Sequence, residues 1–521
     1  MKNKAVFLDR DGVINKDTGY VSKIQDFEFL PNVFESLRIL QSNGFKLFIV
    51  TNQSGIGRGY YSLDEFNKLN EHMLEIFKKE KIIIEKVYFC PHSPEENCIC
   101  RKPNILFLKQ AEKDYSINLR ESWMIGDKLK DIEMGETAGC RTLLIDSKYN
   151  KEDNLKKFKD LLECSKVILN NKLFNREKIK FKSILERKSK SDIIKIAMNE
   201  DKYENFDLID DKKIEIMAEN ILDAKKNNKS IIIAFGAHLI KNGLSPILRK
   251  MIEKRYVTHL ATNGAGSIHD WEFSFIGKSE EDVRENIISG QFGIWEETGK
   301  YINLALISGA LREKGYGESI GEMIHKEEII IPEINNISLL NKLKNHKITE
   351  NFKLIHPFKQ FSIQESAFFN KIPFTIHPGF GYDIIYTHPL SDGASIGKTS
   401  EIDFLKFVES VSNLEGGVYI SIGSAIMSPM IFEKALSMAR NTKLQDNKTI
   451  NDFLIVVNDI KASSWDFGKN LEPNKTNPEY YERFCKSFDR MGAREMFYIK
   501  SDNRNFLLSL YLTLEKLSKE R

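Results

Sequence analysis

Near the amino terminus the chain reads Ala5-Val-Phe-Leu-Asp9-Arg-Asp11-Gly-Val-Ile-Asn15, or AVFLDRDGVIN. An apolar run of strand length stops at two aspartates one residue apart, and glycine follows at once. Carboxylates repel one another and resist burial. Either this strand ends in a solvated turn, or something positive belongs between the two acids. Outward from it, short apolar runs alternate with amphipathic stretches. Val6–Leu8, Lys46–Val50, Lys86–Phe89, Trp123–Ile125 and Thr142–Ile145 read as buried strands. Val33–Ser42 and Leu63–Lys79 carry apolar residues at helical spacing between them. Such alternation predicts an α/β fold, a doubly wound parallel sheet with helices on both faces. Ligands of such sheets sit beyond the carboxyl ends of strands, where Asp9 and Asp11 fall.

At 521 residues the chain is too long for one ordinary core. Hydrophobic content of 41% and charged content of 29% describe a globular protein, and a net charge of +3 implies no basic field for nucleic acid. The expectation is a cytoplasmic protein: the amino terminus lacks a secretory pattern, and no apolar stretch approaches the roughly 20 residues of a membrane span. Three domains are expected. Residues 1–147 form the first, 148–205 a lysine-rich, charged helical connector, and 206–521 a second αβ domain. No internal repeat relates the two halves.

Four segments of the first domain carry complementary chemistry, each at or near a strand end. They are Asp9-Arg-Asp11, Thr51-Asn52-Gln53-Ser54, Arg101-Lys102-Pro103, and Gly126-Asp127-Lys128 with Asp131. Asp9, Asp11 and Asp127 offer hard oxygen ligands to Mg²⁺, whose charge offsets their repulsion. Thr51 and Lys102 suit the remaining oxygens of a phosphoryl group. One aspartate can then attack phosphorus, and another can protonate the leaving oxygen and later activate water. A lone Asp-x-Asp is more often a loop or helix cap; the weight lies in the four segments together.

Cys90-Pro-His92-x₅-Cys98-x-Cys100 supplies three thiolates and one imidazole within eleven residues. That set suits tetrahedral Zn²⁺ with no open position, a structural site in a reducing compartment. Its loop ends directly at Arg101-Lys102, so its expected role is to hold those cations in place.

The order of the four segments resembles that of the haloacid-dehalogenase-type phosphatases. "DTGYVSKIQDFEF", "VTNQSGIGRG", "CPHSPEENCICRKP" and "GDKLKDIEMG" resemble the D-glycero-D-manno-heptose 1,7-bisphosphate 7-phosphatases in particular, over residues 3–147. The resemblance implies Asp9 as nucleophile through an aspartyl-phosphate, Asp11 as general acid and base, and Asp127 completing the Mg²⁺ site. It implies Thr51 and Lys102 on the transferring phosphoryl group. It also implies substrate contacts from Asp17, Thr18, Gly19, Tyr20, Asn52, Gln53, Ser54, Arg101 and Lys128. The implied substrate is a small phosphorylated sugar used in building cell-surface polysaccharide. Histidinol-phosphate phosphatases share the zinc loop and stay open as an alternative, although "GYVSKIQDFEF" favours the heptose group. "RKPN" lacks the glycine expected shortly after this proline in the heptose group.

In the second half, "SIIIAFGAHLIKNGLSPIL", "VTHLATNGAGSIHD", "KIPFTIHP", "GGVYISIGSAI" and "DFLIVVND" read as strands ending in glycine, small residues or histidine. The glycine-rich turn Thr262-Asn263-Gly264-Ala265-Gly266 lets backbone approach a phosphate or dinucleotide closely. With Asp392-Gly393, the region distantly resembles the Rossmann-like fold of deoxyhypusine synthase. That resemblance implies NAD held between subunits, hence a homo-oligomer, with nucleotide contacts at those seven residues. Met427-Ser428-Pro429 and Phe484-Cys485-Lys486 stand where the synthase has its histidines and the surroundings of its catalytic lysine, so deoxyhypusine synthesis is not expected. A nucleotide-binding or assembly protein with a vestigial phosphatase is the competing class. His238, His259, His269, His377 and His388 show no metal-ligand spacing, and Trp271, Phe273 and Phe275 read as core.

Overall fold

The computed structural model describes residues 3–151, 155–170, 174–334, 336–463, 465 and 475–521. It divides into two compact units, Met1–Phe174 and Asn175–Arg521.

Unit 1 is built on six strands: β1 (Lys4–Leu8), β2 (Phe45–Asn52), β3 (Ile84–Cys90), β4 (Trp123–Gly126), β5 (Arg141–Ile145) and β6 (Lys157–Phe158). They lie in the order β3-β2-β1-β4-β5-β6, and every pairing is parallel. Five helices cover them: α1 (Val33–Ser42), α2 (Leu63–Lys79), α3 (Leu106–Asp114), α4 (Leu129–Ala138) and α5 (Leu161–Asn170). Helix α2 shows the local logic. Ser62 and Glu65 close a reciprocal capping box at its start, and Phe66, Leu69, Met73 and Phe77 turn one stripe into the core. The central strand β1 buries Ala5 through Leu8 on both faces. An apolar strand so placed delivers Asp9 to the sheet's carboxyl edge with no freedom to retreat.

Residues 148–205, expected as a charged connector, distribute between the units. Lysines dominate their composition, yet Phe158, Leu161, Cys164 and Ile168 fall at spacings that put them into the core of unit 1. Downstream, Ile184, Ile193, Ala197 and Met198 are buried in unit 2. Residues 152–154 and 171–173 of that stretch lie outside the described residues.

Unit 2 repeats the architecture. Strands β7 (Ile231–Phe235), β8 (His259–Thr262), β9 (Phe374–Ile376), β10 (Gly417–Ile422), β11 (Phe453–Asp459) and β12 (Glu495–Lys500) form one parallel sheet in the order β9-β8-β7-β10-β11-β12. Counted along the chain, both sheets run 3-2-1-4-5-6, the order of the dinucleotide-binding fold. The alternating burial of Glu495–Lys500 hid its last strand from a reading tuned to continuous apolar runs. Helices α6 (Lys212–Lys226), α7 (Gly264–Ile276), α8 (Glu296–Leu311), α9 (Gly393–Ser412), α10 (Met427–Gln445) and α11 (Asn503–Glu520) are the longest in the unit. Trp271 and Phe273 are core, and Phe275 packs against it. The two units share a strand order without a sequence repeat because topology follows from the alternation of element types, not from residue identity. Among the described residues no helix is long and apolar enough to cross a membrane.

Candidate functional site

The carboxyl edge of the unit 1 sheet gathers three buried aspartates and one lysine. Asp9 follows β1, Asp127 follows β4, Asp131 lies in the first turn of α4, and Lys102 comes from the loop after β3. Oxygen atoms of Asp9, Asp127 and Asp131 all lie within 4.8 Å of one another. Lys102 is 4% exposed, and its ammonium bridges Asp9 at 2.8 Å and Asp131 at 2.6 Å. Its third hydrogen goes to the Val50 carbonyl at 3.0 Å, so all three donors are committed. Asn52 grips the Lys102 backbone, accepting from its N–H at 3.1 Å and donating to its carbonyl at 3.5 Å.

Burial dominates the protonation of these acids. It pushes Asp9 up to about 6, with Asp131 adding to the rise and Lys102 opposing it. It lifts Asp127 to about 7, reinforced by the Asp9 charge and opposed by Lys128. Both carboxylate oxygens of Asp127 are buried without a hydrogen-bond partner among the described residues. Gly12 leaves room for them: a Cβ there would come within 2.4 Å of Asp127 Oδ2. Two orphaned buried carboxylate oxygens facing two more carboxylates are a donor set for a hard divalent cation.

Asp11 does not bring its carboxylate into that cluster. It accepts from Arg10 Nη2 at 2.9 Å, Asn15 Nδ2 at 3.0 Å and Gln53 Nε2 at 3.0 Å. Asp131, which the sequence placed nearby without a role, occupies the cluster instead. Arg10, to which the sequence assigns no role, is a fully buried guanidinium that pairs with Asp11 and donates to the Val21 carbonyl. Its signal was only its position between two acids. Thr51 is buried and its hydroxyl accepts from Gln53 Nε2 at 2.8 Å. Gln53 is itself buried and also accepts from Tyr61 at 2.6 Å, so it ties the Asp11 and Thr51 loops together. Ser54 opens a four-residue helical turn after them.

The remaining expected substrate residues lie on the rim. Asp17 accepts from the Gly19 N–H and pairs with Lys128 at 3.2 Å. Thr18 and Gly19 are exposed, and Tyr20 stacks edge-on against Tyr60. Arg101 donates to the His92 carbonyl at 3.2 Å, tying the cysteine loop to the residue before Lys102.

Cys90, His92, Cys98 and Cys100 converge. Their sulfurs are 3.2–3.6 Å apart, and His92 Nδ1 stands 3.3 and 3.7 Å from two of them. Bond lengths to tetrahedral zinc give ligand–ligand edges of about 3.6–3.8 Å, so the four atoms outline a tetrahedron of nearly the right size. All four side chains are accounted for, and none of the cysteines is in a disulfide.

In unit 2, Thr262–Gly266 lies at the carboxyl end of β8. Thr262 donates to the Phe235 carbonyl, and Asn263 caps α7 by accepting from the Gly266 N–H. Asp392 caps α9 through Ser395, with Gly393 beside it.

The HAD-hydrolase-like family model matches residues 99–165. The D-glycero-beta-D-manno-heptose-1,7-bisphosphate 7-phosphatase of Helicobacter pylori is 49% identical over 144 residues, which is 27% of this chain and 83% of that one. The corresponding alpha-named enzyme of Campylobacter jejuni is 47% identical over 164 residues, 31% of this chain and 94% of its own. Among solved structures, the D,D-heptose 1.7-bisphosphate phosphatase from B. bronchiseptica, complexed with magnesium and phosphate, aligns at 25% identity with a TM-score of 0.31, covering 32% of this chain and 99% of that one. A conserved LOR/SDH protein from Methanococcus maripaludis aligns over 59% of this chain and 70% of its own, at 16% identity and a TM-score of 0.33.

Unit 1 thus places the chain among the haloacid-dehalogenase-like hydrolases, as a phosphoric monoester hydrolase. Within that class it belongs to the heptose-1,7-bisphosphate 7-phosphatase family, and the match spans little more than a quarter of its length.

Proposed function

We propose that unit 1 hydrolyses the 7-phosphate of D-glycero-D-manno-heptose 1,7-bisphosphate. The observation that carries this reading is identity of 47–49% over 144–164 residues to enzymes of that name, in a chain whose unit 1 builds the buried Asp9–Lys102–Asp131–Asp127 cluster. Asp9 and Asp127 would hold Mg²⁺, with Asp131 beside them; when bound, the ion neutralises their charge and draws electron density from the phosphoryl oxygens.

The chain's own groups then have distinct work. The Asp9 carboxylate attacks phosphorus in line, forming an acyl-phosphate bond as the bond to the sugar oxygen breaks. Asp11, held in place by Arg10, Asn15 and Gln53, gives its proton to that leaving oxygen. It then takes a proton from the water that attacks the phosphoryl-aspartate, releasing phosphate and restoring Asp9. The Thr51 hydroxyl donates to the phosphoryl oxygens. The Lys102 ammonium, held between Asp9 and Asp131, stabilises their charge and turns a donor to them once phosphate displaces one of its present partners. The rim of Asp17–Tyr20, Asn52, Ser54, Arg101 and Lys128 faces the sugar. Gln53 acts one step back, through Asp11 and Thr51. The Cys90–His92–Cys98–Cys100 site holds structural Zn²⁺.

Phosphate release from heptose bisphosphate and from histidinol phosphate tests the substrate. Cleavage of the second with the first untouched would transfer the chain to the histidinol group. Asp9→Asn should abolish turnover while fold and zinc content survive.

For unit 2 the 3-2-1-4-5-6 order and the turn at Thr262–Gly266 support a nucleotide site such as one for NAD. Isothermal titration of the full chain with NAD tests it, and the absence of heat and of protection at 262–266 and 392–393 would remove it.

A further inference from the structure

The histidines of unit 2 differ in how they spend their nitrogens. His259 spends both, on Ser410 and Thr375. His269 spends one: its Nδ1 lies 2.6 Å from Ser279 Oγ, and among the described residues its Nε2 has no partner.

The direction of each hydrogen bond follows from valence. Glu272 is buried and receives four bonds, two from Arg187 at 2.8 and 2.9 Å, one from Thr298 at 3.0 Å and one from Ser279 at 2.5 Å. Burial alone would raise its carboxyl, but the Arg187 guanidinium holds it below the usual range. An ionised carboxylate only accepts, so the single Ser279 hydrogen points to Glu272. Ser279 must then accept from His269, which carries its proton on Nδ1. Burial keeps the ring neutral, down to about 4, against the opposing pull of Glu272. Nε2 is left with an exposed lone pair. Glu272 and Ser279 thereby set the tautomer and the aim of the ring, as second partners do for working imidazoles.

Ala265, Ile268, His269 and Glu272 sit at i, i+3, i+4 and i+7 on one face of α7, and that face lines a cavity of 230 Å³. Asp383 lies on the same cavity, over the first turn of α7. Its Oδ2 is buried with no partner, and a Cβ at Gly264 would come within 2.1 Å of it. Burial lifts this carboxyl to about 6. The other walls mix apolar Val283, Phe292 and Ile384 with Tyr382 and the charged Arg187, Lys241, Glu280 and Glu281. The cavity's cations are spent: Arg187 on Glu272 and Lys241 on Glu280 at 2.7 Å.

We propose that this cavity is a ligand site for a small aliphatic molecule whose O–H or N–H groups donate to His269 Nε2 and to Asp383. Two open acceptors call for donors, and the lining cations Arg187 and Lys241 are already paired, so the group that meets His269 and Asp383 is a donor rather than an anion. A cavity of 230 Å³ takes a small molecule or one end of a larger one. The cavity adjoins the glycine-rich turn, sharing Ala265 with it and setting Asp383 against Gly264, but the proposal needs only His269 and Asp383 as acceptors and does not depend on a nucleotide; it uses no residue of unit 1.

The test uses the full-length protein and diethyl pyrocarbonate, which acylates an unprotonated imidazole nitrogen, with the modified histidine located by peptide mass. His269 should be modified in the folded protein. A matched pair of probes, 1,2-propanediol and methylguanidinium, distinguishes hydroxyl from cationic N–H donors, and neither consumes the reagent appreciably because the guanidinium stays protonated; the reactivity of the other modified histidines serves as the internal reference. At least one should slow modification of His269 tenfold or more, with saturation. Asp383→Ala should leave His269 reactive and abolish that protection, which a merely structural histidine would not show. In ¹⁵N spectra of histidine-labelled protein, His269 should carry its proton on Nδ1, and Ser279→Ala should shift it to Nε2. An inert His269, protection by neither probe, protection that survives Asp383→Ala, or a proton on Nε2 in the wild-type protein would each overturn the proposal.

Discussion

Lys102 and Asp131 form the pair on which the phosphatase cluster depends, and a double-mutant cycle measures it. Both are fully withdrawn from water, 4% and 1% exposed, and their charges meet at 2.6 Å. Lys102 also contacts Asp9 at 2.8 Å. Lys102→Met leaves two buried carboxylates with no counter-charge, and breaking a buried pair by removing one partner costs about 3–5 kcal/mol. Asp131→Asn leaves the ammonium with Asp9 and the Val50 carbonyl, so its cost should be smaller, about 2 kcal/mol, on the order of one charged hydrogen bond. Once either partner is gone, losing the other removes no further attraction between them, so the double variant should cost less than the sum by at least about 2 kcal/mol. Because two units unfold in this chain, hydrogen exchange of peptides covering Phe45–Asn52, read with magnesium omitted, is the suitable assay; it follows the strand next to β1 rather than the whole molecule. Additivity within about 0.5 kcal/mol would show that the two charges do not interact. A Lys102→Met protein that is stable yet inactive would confine the lysine to catalysis.

Three other outcomes are expected. The Glu322 carboxyl would be raised by burial, but hydrogen bonds from Lys326 and Lys314 and the Arg312 charge overcome this and hold it at about 2, against 4.5 ordinarily. Its stabilisation is therefore complete above pH 4.5 and lost as pH falls toward 2; at about 1.4 kcal/mol per pH unit this is on the order of 3 kcal/mol. Urea unfolding of unit 2 should lose that increment of acid sensitivity in Glu322→Gln, and identical pH slopes in the two proteins would contradict the cluster. Metal analysis should find one zinc per chain. His92→Ala or Cys98→Ser should lose it and lower phosphatase activity about 10–100-fold by loosening Arg101 and Lys102, whereas full activity without zinc would detach the loop from catalysis. Gly236→Ala would drive a Cβ to 2.2 Å from the Gly423 carbonyl, where the ends of β7 and β10 meet. Backbone cannot swing aside as a side chain can, so unit 2 should lose at least about 2 kcal/mol, and an unchanged urea midpoint would refute that close approach.

Local chemistry was legible in the one-dimensional chain. Strand and helix periods, the make-up of each of the four polar segments, and the spacing of Cys90, His92, Cys98 and Cys100 all lie within short windows, and each carries its physical reason in residue type. Helices Val33–Ser42 and Leu63–Lys79 have the boundaries their apolar spacing implied. Which polar group faces which is another matter, because it is set by chain segments far apart in sequence that the sheet brings together. Asp131 rather than Asp11 shares Lys102 with Asp9 because α4 starts directly beneath the end of β4 and aims its first turn at the same edge. The lysine-rich stretch after residue 147 hid Phe158, Leu161, Cys164 and Ile168 because four well-spaced apolar residues outweigh many solvated charges once a core is available to receive them. The shared strand order of the two units, and the open lone pair of His269, appear only when the partners of each group can be counted in three dimensions.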